Sequence, residues 1–205
     1  MSELVEQLRR RGIRDPRVLD AMRHVRRRDF VPPDRVAQAD EDRPLPIGHG
    51  QTISQPYIVA LMTEMARPRP TDRALDVGTG CGYQAAILAE LVEEVRSIEV
   101  VPELAREASR RLGDLGYDNI QVKLGDGYQG WPEAAPFDLI IVAAAPPEIP
   151  EPLIEQLAPG GRLVVPVGGP ARQDLWLLHK QDDGQVRRVK VAPVMFVPLV
   201  HPGRE

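Results

Sequence analysis

A chain of 205 residues, 42% of them hydrophobic and 27% charged, has the size and composition of a single globular domain. Its formal net charge of −4 gives no electrostatic reason to expect nucleic acid or an anionic membrane as a partner, and its longest strongly apolar run, residues 139–145, is far shorter than the ~20 residues of a membrane span. A single cysteine, Cys81, excludes an intramolecular disulfide framework, and the acidic N-terminal residues lack the apolar core of a signal peptide, which together indicate a cytoplasmic protein.

Residues 1–70 are predicted to form a helical region that carries a substrate loop. Apolar stripes predict two short helices within the first 25 residues. Prolines and glycines interrupt residues 29–56, which are expected to be a loop, and a further helix is expected over residues 56–66. Two arginine triplets, residues 9–11 and 26–28, are typical of solvated helix faces.

Residues 71–170 alternate short apolar strands with helices and form the predicted cofactor-binding core. Strands are expected at residues 74–77, 95–100, 120–124, 137–144 and 162–167, and helices at residues 84–92, 102–115 and 152–157. This alternation predicts an α/β fold with a doubly wound, mostly parallel sheet of the Rossmann-like type.

Residues 171–205 are predicted to add C-terminal strands to that sheet. The segments 175–180 and 186–191 flank an Asp-Asp-Gly turn and predict an antiparallel hairpin. Residues 194–200 contain Pro198, which suits a sheet edge. No linker divides the chain, and residues 1–205 are therefore expected to be one domain with the three regions just described.

A glycine-rich turn lies between the first strand of the core and the helix that follows it. Gly78, Gly80 and Gly82 would let the backbone approach a ligand and expose amides at the helix N-terminus. Glu99 ends the second strand, where an acid accepts hydrogen bonds from ribose hydroxyls in such folds. Strand, turn, helix and acid together favour a nucleoside site over a structural glycine turn beside a surface glutamate.

The spacing of the glycines separates two classes of nucleoside-binding protein. A dinucleotide fingerprint requires a third glycine where this chain has Tyr83. Asp76 followed by the glycines at positions 78, 80 and 82 instead resembles the first motif of S-adenosylmethionine-dependent methyltransferases. In that class Asp76 is a candidate partner for the ammonium group of the methyl donor; the alternative is a strand-end residue satisfied by turn amides.

A second short motif, residues 125–127, follows the third predicted strand. The carboxyl ends of parallel strands meet at one edge of a sheet, which places this motif beside the glycine turn. In a methyltransferase Asp126 would meet the adenine amino group and Gly127 would leave room for the ring. The alternative is an ordinary turn in which Asp126 bonds nearby backbone.

The most distinctive segment is residues 45–57, which precede the helix predicted at Pro56. Ser54 is out of register to cap that helix, because Gln55 occupies the capping position. A hydroxyl in such a loop is better explained by a ligand. His49, in the same loop, is interpreted as a surface histidine.

The segment 45–57 resembles the signature of the protein-L-isoaspartate O-methyltransferase family. The resemblance continues in order along nearly the whole chain, through residues 76–83, 125–131, 135–138, 144–150, 159–168 and 196–199. Cys81 and Val100 depart slightly from the family pattern, and residues 168–174 are less family-like. The resemblance implies transfer of a methyl group from S-adenosyl-L-methionine to the α-carboxyl of L-isoaspartyl residues in damaged proteins and peptides.

The resemblance also assigns site residues. Ser54 is the implied catalytic residue, and no metal is expected. The expected cofactor-binding residues are Gln51, Thr52, Ile53, Asp76, Gly78, Gly80, Cys81, Glu99, Asp126 and Gly127.

The chemistry of such a transfer explains a serine in the loop. A carboxylate with an ordinary pKa of ~3.9 is already ionised at neutral pH and needs no general base. Because opposite charges are cancelled as methyl donor and acceptor react, a strong cation on the carboxylate would stabilise the ground state more than the transition state. A neutral hydroxyl suits the task better, and the nearest cation in the loop sequence is Arg43. Residues 196–199 are expected either to pair with the substrate backbone as an edge strand or to be an ordinary core strand.

Competing functions are a methyltransferase for RNA or another carboxylate, a nicotinamide-dependent oxidoreductase, and a non-enzymatic binding module. Tyr83 disfavours the oxidoreductase, and the arginine triplets lack the aromatic platform that would accompany RNA binding, since aromatic residues are only 4% of the chain. The expected partners are isoaspartyl-containing proteins and peptides. Neither nucleic acid nor a membrane is expected to bind, and the chain is expected to be a monomer.

Overall fold

Residues 3–203, which the computed structural model describes, begin with the helices α1 (Glu3–Arg10) and α2 (Pro16–His24). Asp15 caps α2, because its side chain accepts a hydrogen bond from the Arg17 amide. Two short 3-10 turns follow at Arg27–Phe30 and Pro33–Gln38. The chain then forms a small antiparallel hairpin, β1 (Leu45–Gly48) and β2 (Gln51–Ile53), before α3 (Pro56–Ala66). The hairpin lies in a segment predicted to be a loop.

The remaining elements alternate as the apolar pattern predicts. In chain order they are β3 (Arg73–Val77), α4 (Tyr83–Ala89), β4 (Glu94–Glu99), α5 (Pro102–Asp114), β5 (Ile120–Leu124), β6 (Phe137–Val142), α6 (Glu151–Glu155), β7 (Leu157–Gly169), β8 (Arg172–Lys180) and β9 (Val186–Val194). Strand β7 begins earlier than expected and runs through the Pro-Gly-Gly segment 159–161, where a helix stop was predicted.

The seven main strands form one sheet in the order β5-β4-β3-β6-β7-β8-β9. Strands β3 to β7 pair in parallel, while β8 and β9 are antiparallel additions. The predicted fold class, a mostly parallel α/β sheet with N-terminal helices and a C-terminal antiparallel hairpin, is therefore confirmed. Strand order reverses between β3 and β6, the kind of switch point at which open α/β sheets bind ligands.

Both faces of the sheet are buried, as the apolar strands require. Alternate residues of one strand point to opposite faces. Ala74 of β3 joins the core beneath α1–α5, whereas its neighbour Leu75 joins the core beneath α6 and Trp131. None of the helices within residues 3–203 combines the length and apolar character needed to cross a bilayer.

Two expectations for exposed positions are corrected by the fold. Of residues 194–200 only Val194 belongs to β9, one of the two edge strands of the sheet; Pro198 instead bridges Ala145 just beyond β6, and backbone hydrogen bonds join Ala145 to Val197 and Leu199. Arg27, predicted to lie on a solvated face, is only 2% exposed. Four backbone carbonyls accept hydrogen bonds from its guanidinium, and no local pattern distinguishes it from Arg26 and Arg28.

Candidate active site

A cavity opens at the carboxyl ends of β3, β4 and β6, beside the switch point of the sheet. All of the predicted site residues except Asp76 and Asp126 line it: Gln51, Thr52, Ile53, Ser54, Gly78, Gly80, Cys81, Glu99 and Gly127. The cavity is also lined by Ala143 and Ala144, which follow β6, and by the C-terminal segment around Pro198. Sequence reasoning missed these wall residues because they are small or apolar and come from distant parts of the chain.

The glycine turn bends sharply over the end of β4. The amides of Gly78 and Thr79 both donate to the Ile98 carbonyl, at 2.8 and 3.1 Å. Gly78 and Gly82 have φ values of +92°, in the region that side chains with a Cβ disfavour. The glycines are therefore needed by the turn itself, and the turn brings backbone to the cavity wall.

Glu99 locks the end of β4 to this turn. One carboxylate oxygen, Oε1, accepts from the amides of Val100 and Val101 at 2.9 and 3.0 Å. The other, Oε2, accepts from the Gly80 amide at 2.7 Å. A carboxylate oxygen accepts two hydrogen bonds, and Oε2 therefore retains acceptor capacity toward the cavity that Glu99 lines. Such a fixed, buried carboxylate fits a ribose diol.

Asp76 lies behind the turn and does not line the cavity. It is fully buried, and its Oδ2 accepts a 2.7 Å hydrogen bond from Ser97, which also bonds Thr79 at 2.6 Å. Burial raises the pKa of Asp76 to about 7; the Ser97 hydrogen bond opposes the rise and the charge of Glu99 adds to it. Oδ1 is buried and has no hydrogen-bond partner among residues 3–203, and its expected contact with the ammonium group of a ligand stays a prediction.

Asp126 is held beside the cavity by the C-terminal segment. Its Oδ1 accepts from the Tyr128 amide at 2.9 Å, and its Oδ2 lies 2.9 Å from His201 Nδ1. The rings of Tyr128 and His201 stack at 4.2 Å, and the Tyr128 hydroxyl donates to the Leu199 carbonyl at 3.0 Å. Sequence reasoning missed this contact, because residues 75 positions apart carry no local sign of pairing.

Gly127 lines the cavity in a tightly packed place. A Cβ atom there would lie 2.7 Å from Val77 Cγ1 and 3.1 Å from Leu199 Cδ1, well inside contact distance. Only glycine fits without a shift of β3 or of the C-terminal segment. The expected contacts of Asp126 with the adenine amino group and of Gly127 with its ring stay predictions.

Ser54 lies between β2 and α3, where the hairpin delivers it to the cavity. Gly48, His49 and Gly50 all have positive φ and form the hairpin turn, and His49 is exposed there as expected. Helix α3 begins at Pro56 with Gln55 as its N-cap, so Ser54 is free of the capping role. Among residues 3–203 the Ser54 hydroxyl has no hydrogen-bond partner, whereas its carbonyl accepts from Arg27 at 3.1 Å.

A second, open groove meets the cavity at Ser54. It measures about 620 Å³ and shares Thr52, Ser54, Ala143 and Val197 with the cavity. Its walls are mainly apolar and come from the start of α3 and from residues 192–197. The cavity and the groove therefore meet at these four residues, one of which is Ser54.

An open, mostly parallel sheet, a glycine turn and a buried acid at the end of the neighbouring strand are typical of Rossmann-like nucleoside-binding proteins. The spacing of the glycines, with Tyr83 where a dinucleotide fingerprint needs glycine, places the chain among the S-adenosylmethionine-dependent methyltransferases of that class. Comparisons with known proteins identify the family within this class of methyltransferases. The family model for protein-L-isoaspartate(D-aspartate) O-methyltransferase (PCMT) matches residues 1–203, and the chain belongs to that family.

Individual relatives cover almost the whole chain. A protein-L-isoaspartate O-methyltransferase from Gloeobacter violaceus is 55% identical over 194 residues, 95% of each chain. One from Methanoculleus marisnigri is 55% identical over 199 residues, 97% of this chain and 90% of its own. A Plasmodium falciparum crystal structure, described as a beta-aspartate methyltransferase (PCMT) in complex with S-adenosyl-L-homocysteine, superposes with a TM-score of 0.84 at 29% identity and 96% coverage of both chains.

Proposed function

We infer that this protein transfers a methyl group from S-adenosyl-L-methionine to the α-carboxyl of L-isoaspartyl residues in damaged proteins and peptides. The observation that carries the inference is the position of Ser54, whose hydroxyl has no hydrogen-bond partner among residues 3–203 and stands where the cavity at the strand ends meets an open groove. The relatives named for this activity, at 55% identity over nearly the whole chain, support the same conclusion.

The residues that line the cavity or lie beside it fit the methyl donor. Glu99 would accept hydrogen bonds from the ribose hydroxyls, and Asp76 Oδ1 would receive the ammonium group. Asp126 and Gly127 would hold the adenine, with the hairpin residues 51–53 closing the cavity beside Gly78, Gly80 and Cys81. The donor supplies an electrophilic methyl group on a positively charged sulfur.

The part of Ser54 in this reaction is to orient the acceptor. The substrate carboxylate is ionised at neutral pH, and no proton has to be removed from it. Its oxygen forms a bond to the methyl carbon as the carbon–sulfur bond breaks, which leaves a neutral ester and a neutral thioether. A hydrogen bond from Ser54 aligns the carboxylate, and alignment of this kind contributes up to ~7–11 kcal/mol in favourable model reactions.

The ester is the start of a repair sequence. The backbone nitrogen that follows the modified residue displaces methanol to give a succinimide, and hydrolysis of that ring returns part of the damaged residue to normal aspartate. We expect the chain to act as a cytoplasmic monomer on proteins and not on nucleic acid, in keeping with its net charge of −4.

Labelled S-adenosyl-L-methionine, incubated with a matched pair of isoaspartyl and aspartyl peptides, tests the function. Base-labile label should enter the isoaspartyl peptide only. Ser54→Ala should lower kcat by a factor of ~10–1000 because one positioning contact is lost, with the affinity for S-adenosyl-L-homocysteine nearly unchanged. Labelling of neither peptide, or of both equally, would refute the function; unchanged kcat in Ser54→Ala would remove the serine from its role.

A further inference from the structure

Arg27 is a buried cation next to the serine loop, which is the segment 45–57 that contains Ser54. Its neighbours Arg26 and Arg28 are exposed and pair with Asp29 and Asp40. Arg27 is only 2% exposed and makes no ion pair within 4 Å across the part of the chain that the structure describes. Burial lowers the pKa of its guanidinium, but an arginine remains charged at neutral pH. A buried, unpaired charge is costly unless its hydrogen bonds compensate it.

The compensating hydrogen bonds of Arg27 run to backbone carbonyls. Its Nη1 donates to the carbonyls of Ala39 at 2.7 Å and Glu41 at 3.3 Å. Its Nη2 donates to those of Arg43 at 2.9 Å and Ser54 at 3.1 Å. All four N–H groups of the two terminal nitrogens are thereby used, while the buried Nε–H group has no hydrogen-bond partner among residues 3–203. One guanidinium joins the segment 39–43 to the peptide group of Ser54.

The segment 39–43 also forms hydrogen bonds with the residues just after Ser54. Asp42 Oδ1 accepts from the Tyr57 amide at 2.9 Å, and the side-chain amide of Gln55 donates to the Asp42 carbonyl at 2.9 Å. The Arg11 guanidinium pairs with Asp42 and covers the Tyr57 ring at 3.6 Å. The serine loop therefore packs against residues 39–43, and Arg27 donates the hydrogen bond to the carbonyl of Ser54 itself.

We propose that Arg27 is a positioning residue for the methyl transfer: its guanidinium fixes the peptide group of Ser54 and thereby aims the serine hydroxyl at the substrate carboxylate. The proposal rests on the function inferred above. Only a planar, forked cation reaches four carbonyls at once, which a lysine ammonium cannot do. Because its terminal N–H groups are occupied by carbonyls, Arg27 orders the loop without offering a clamp to the carboxylate.

Arg27→Lys, compared with a control substitution at Arg162, tests whether the shape of the Arg27 side chain matters beyond its charge. Arg27→Lys keeps the charge and loses the fork; kcat for the isoaspartyl peptide should fall at least tenfold, with KM and the affinity for S-adenosyl-L-homocysteine within about threefold of wild type. The control is Arg162→Lys. Arg162 is also buried and donates to the backbone carbonyls of Ala66 and Arg67, at 2.8 Å each, but it does not line either the cavity or the groove. The control should lose melting temperature and keep kcat.

A double mutant shows whether Arg27 acts through Ser54. In a Ser54→Ala background, Arg27→Lys should cause little further loss of kcat, since the hydroxyl to be aimed is gone. All assays are made below the lowest melting temperature of the set. Should Arg27→Lys fail to fold, Arg27→Gln, which keeps a planar donor group, takes its place in the same double mutant.

Three results would overturn the proposal: wild-type kcat in the Arg27 variant, an equal loss in Arg162→Lys, or losses that multiply in the double mutant. Wild-type protein is assayed beside the variants on the isoaspartyl and aspartyl peptides. If the wild type itself methylates neither peptide, the proposed function has failed; if it is active and the variants match it, only the role of Arg27 has failed.

Discussion

Replacement of Asp76 by asparagine tests the electrostatics beneath the glycine turn. Asp76 is fully buried, receives one hydrogen bond from Ser97 and has one oxygen without a partner among residues 3–203. Its pKa is raised from an ordinary value of 3.8 to about 7, chiefly by burial. Asparagine has nearly the same shape and carries no charge at any pH. The two proteins therefore differ mainly in whether this site can ionise.

The direction in which wild-type stability changes with pH follows from the protons bound by the folded and unfolded states. Between pH 4 and pH 7 the folded protein keeps the Asp76 proton that the unfolded chain loses, and wild-type stability therefore falls as pH rises through this window. One unit of pKa shift corresponds to about 1.4 kcal/mol. A shift from 3.8 to about 7 thus costs wild type about 4 kcal/mol once pH exceeds 7, a cost that Asp76→Asn avoids.

Urea unfolding of both proteins at pH 5, 6, 7 and 8 measures the difference. The free energy of unfolding of Asp76→Asn minus that of wild type should rise with pH by about 1.4 kcal/mol per unit and level off near pH 7. Ser97→Ala provides a second measurement. Loss of the hydrogen bond that lowers the pKa of Asp76 should raise that pKa further, and the stability of this variant should therefore keep falling to a higher pH than that of wild type. A difference that stays constant from pH 5 to pH 8 would refute the reasoning.

Two further substitutions test the cavity walls. Glu99→Ala should weaken binding of S-adenosyl-L-homocysteine by about 10- to 100-fold in calorimetry, since a charged hydrogen-bond acceptor is worth roughly 1.5–3 kcal/mol; unchanged affinity would disprove the ribose contact. Gly127→Ala should lower both the melting temperature and this affinity, because its Cβ would lie 2.7 Å from Val77 Cγ1. The control Gly113→Ala, in α5 with nothing within 4 Å, should be neutral or stabilising, and equal effects of the two would contradict the packing argument.

The sheet and the cavity could be predicted because their signals are local. Strand β5 at Ile120–Leu124 and helix α3 at Pro56–Ala66 have their predicted bounds, since an alternation of apolar and polar residues marks the strand and a proline at the first helical position marks the helix. The hairpin at residues 45–53 was missed because its proline and glycines are typical of loops. Here those glycines supply the positive φ values of a tight turn.

Contacts between distant residues could not be predicted in the same way. Arg27 stands in a triplet of identical side chains, and only the folded chain brings the carbonyls of residues 39–43 and Ser54 around it. The bond between Asp126 and His201 joins a loop to the C-terminal segment across 75 residues. A side chain's partner is decided by tertiary packing, which neither composition nor periodicity encodes.

The buried charges around the site are arranged to match the two reactants. Glu99 and Asp76 lie beneath the glycine turn, where a positively charged methyl donor would bind, and Arg27 lies beneath the serine loop, where a carboxylate would bind. Asp76 and Arg27 are surrounded by protein and do not line the cavity, while Glu99, which does line it, is held by three backbone amides. Because methyl transfer cancels the charges of both reactants, such indirect placement favours their approach without holding them back from the neutral products. A neutral replacement of Asp76 would then relieve a buried charge and weaken the reaction together, as expected where a functional site is kept at a cost in stability.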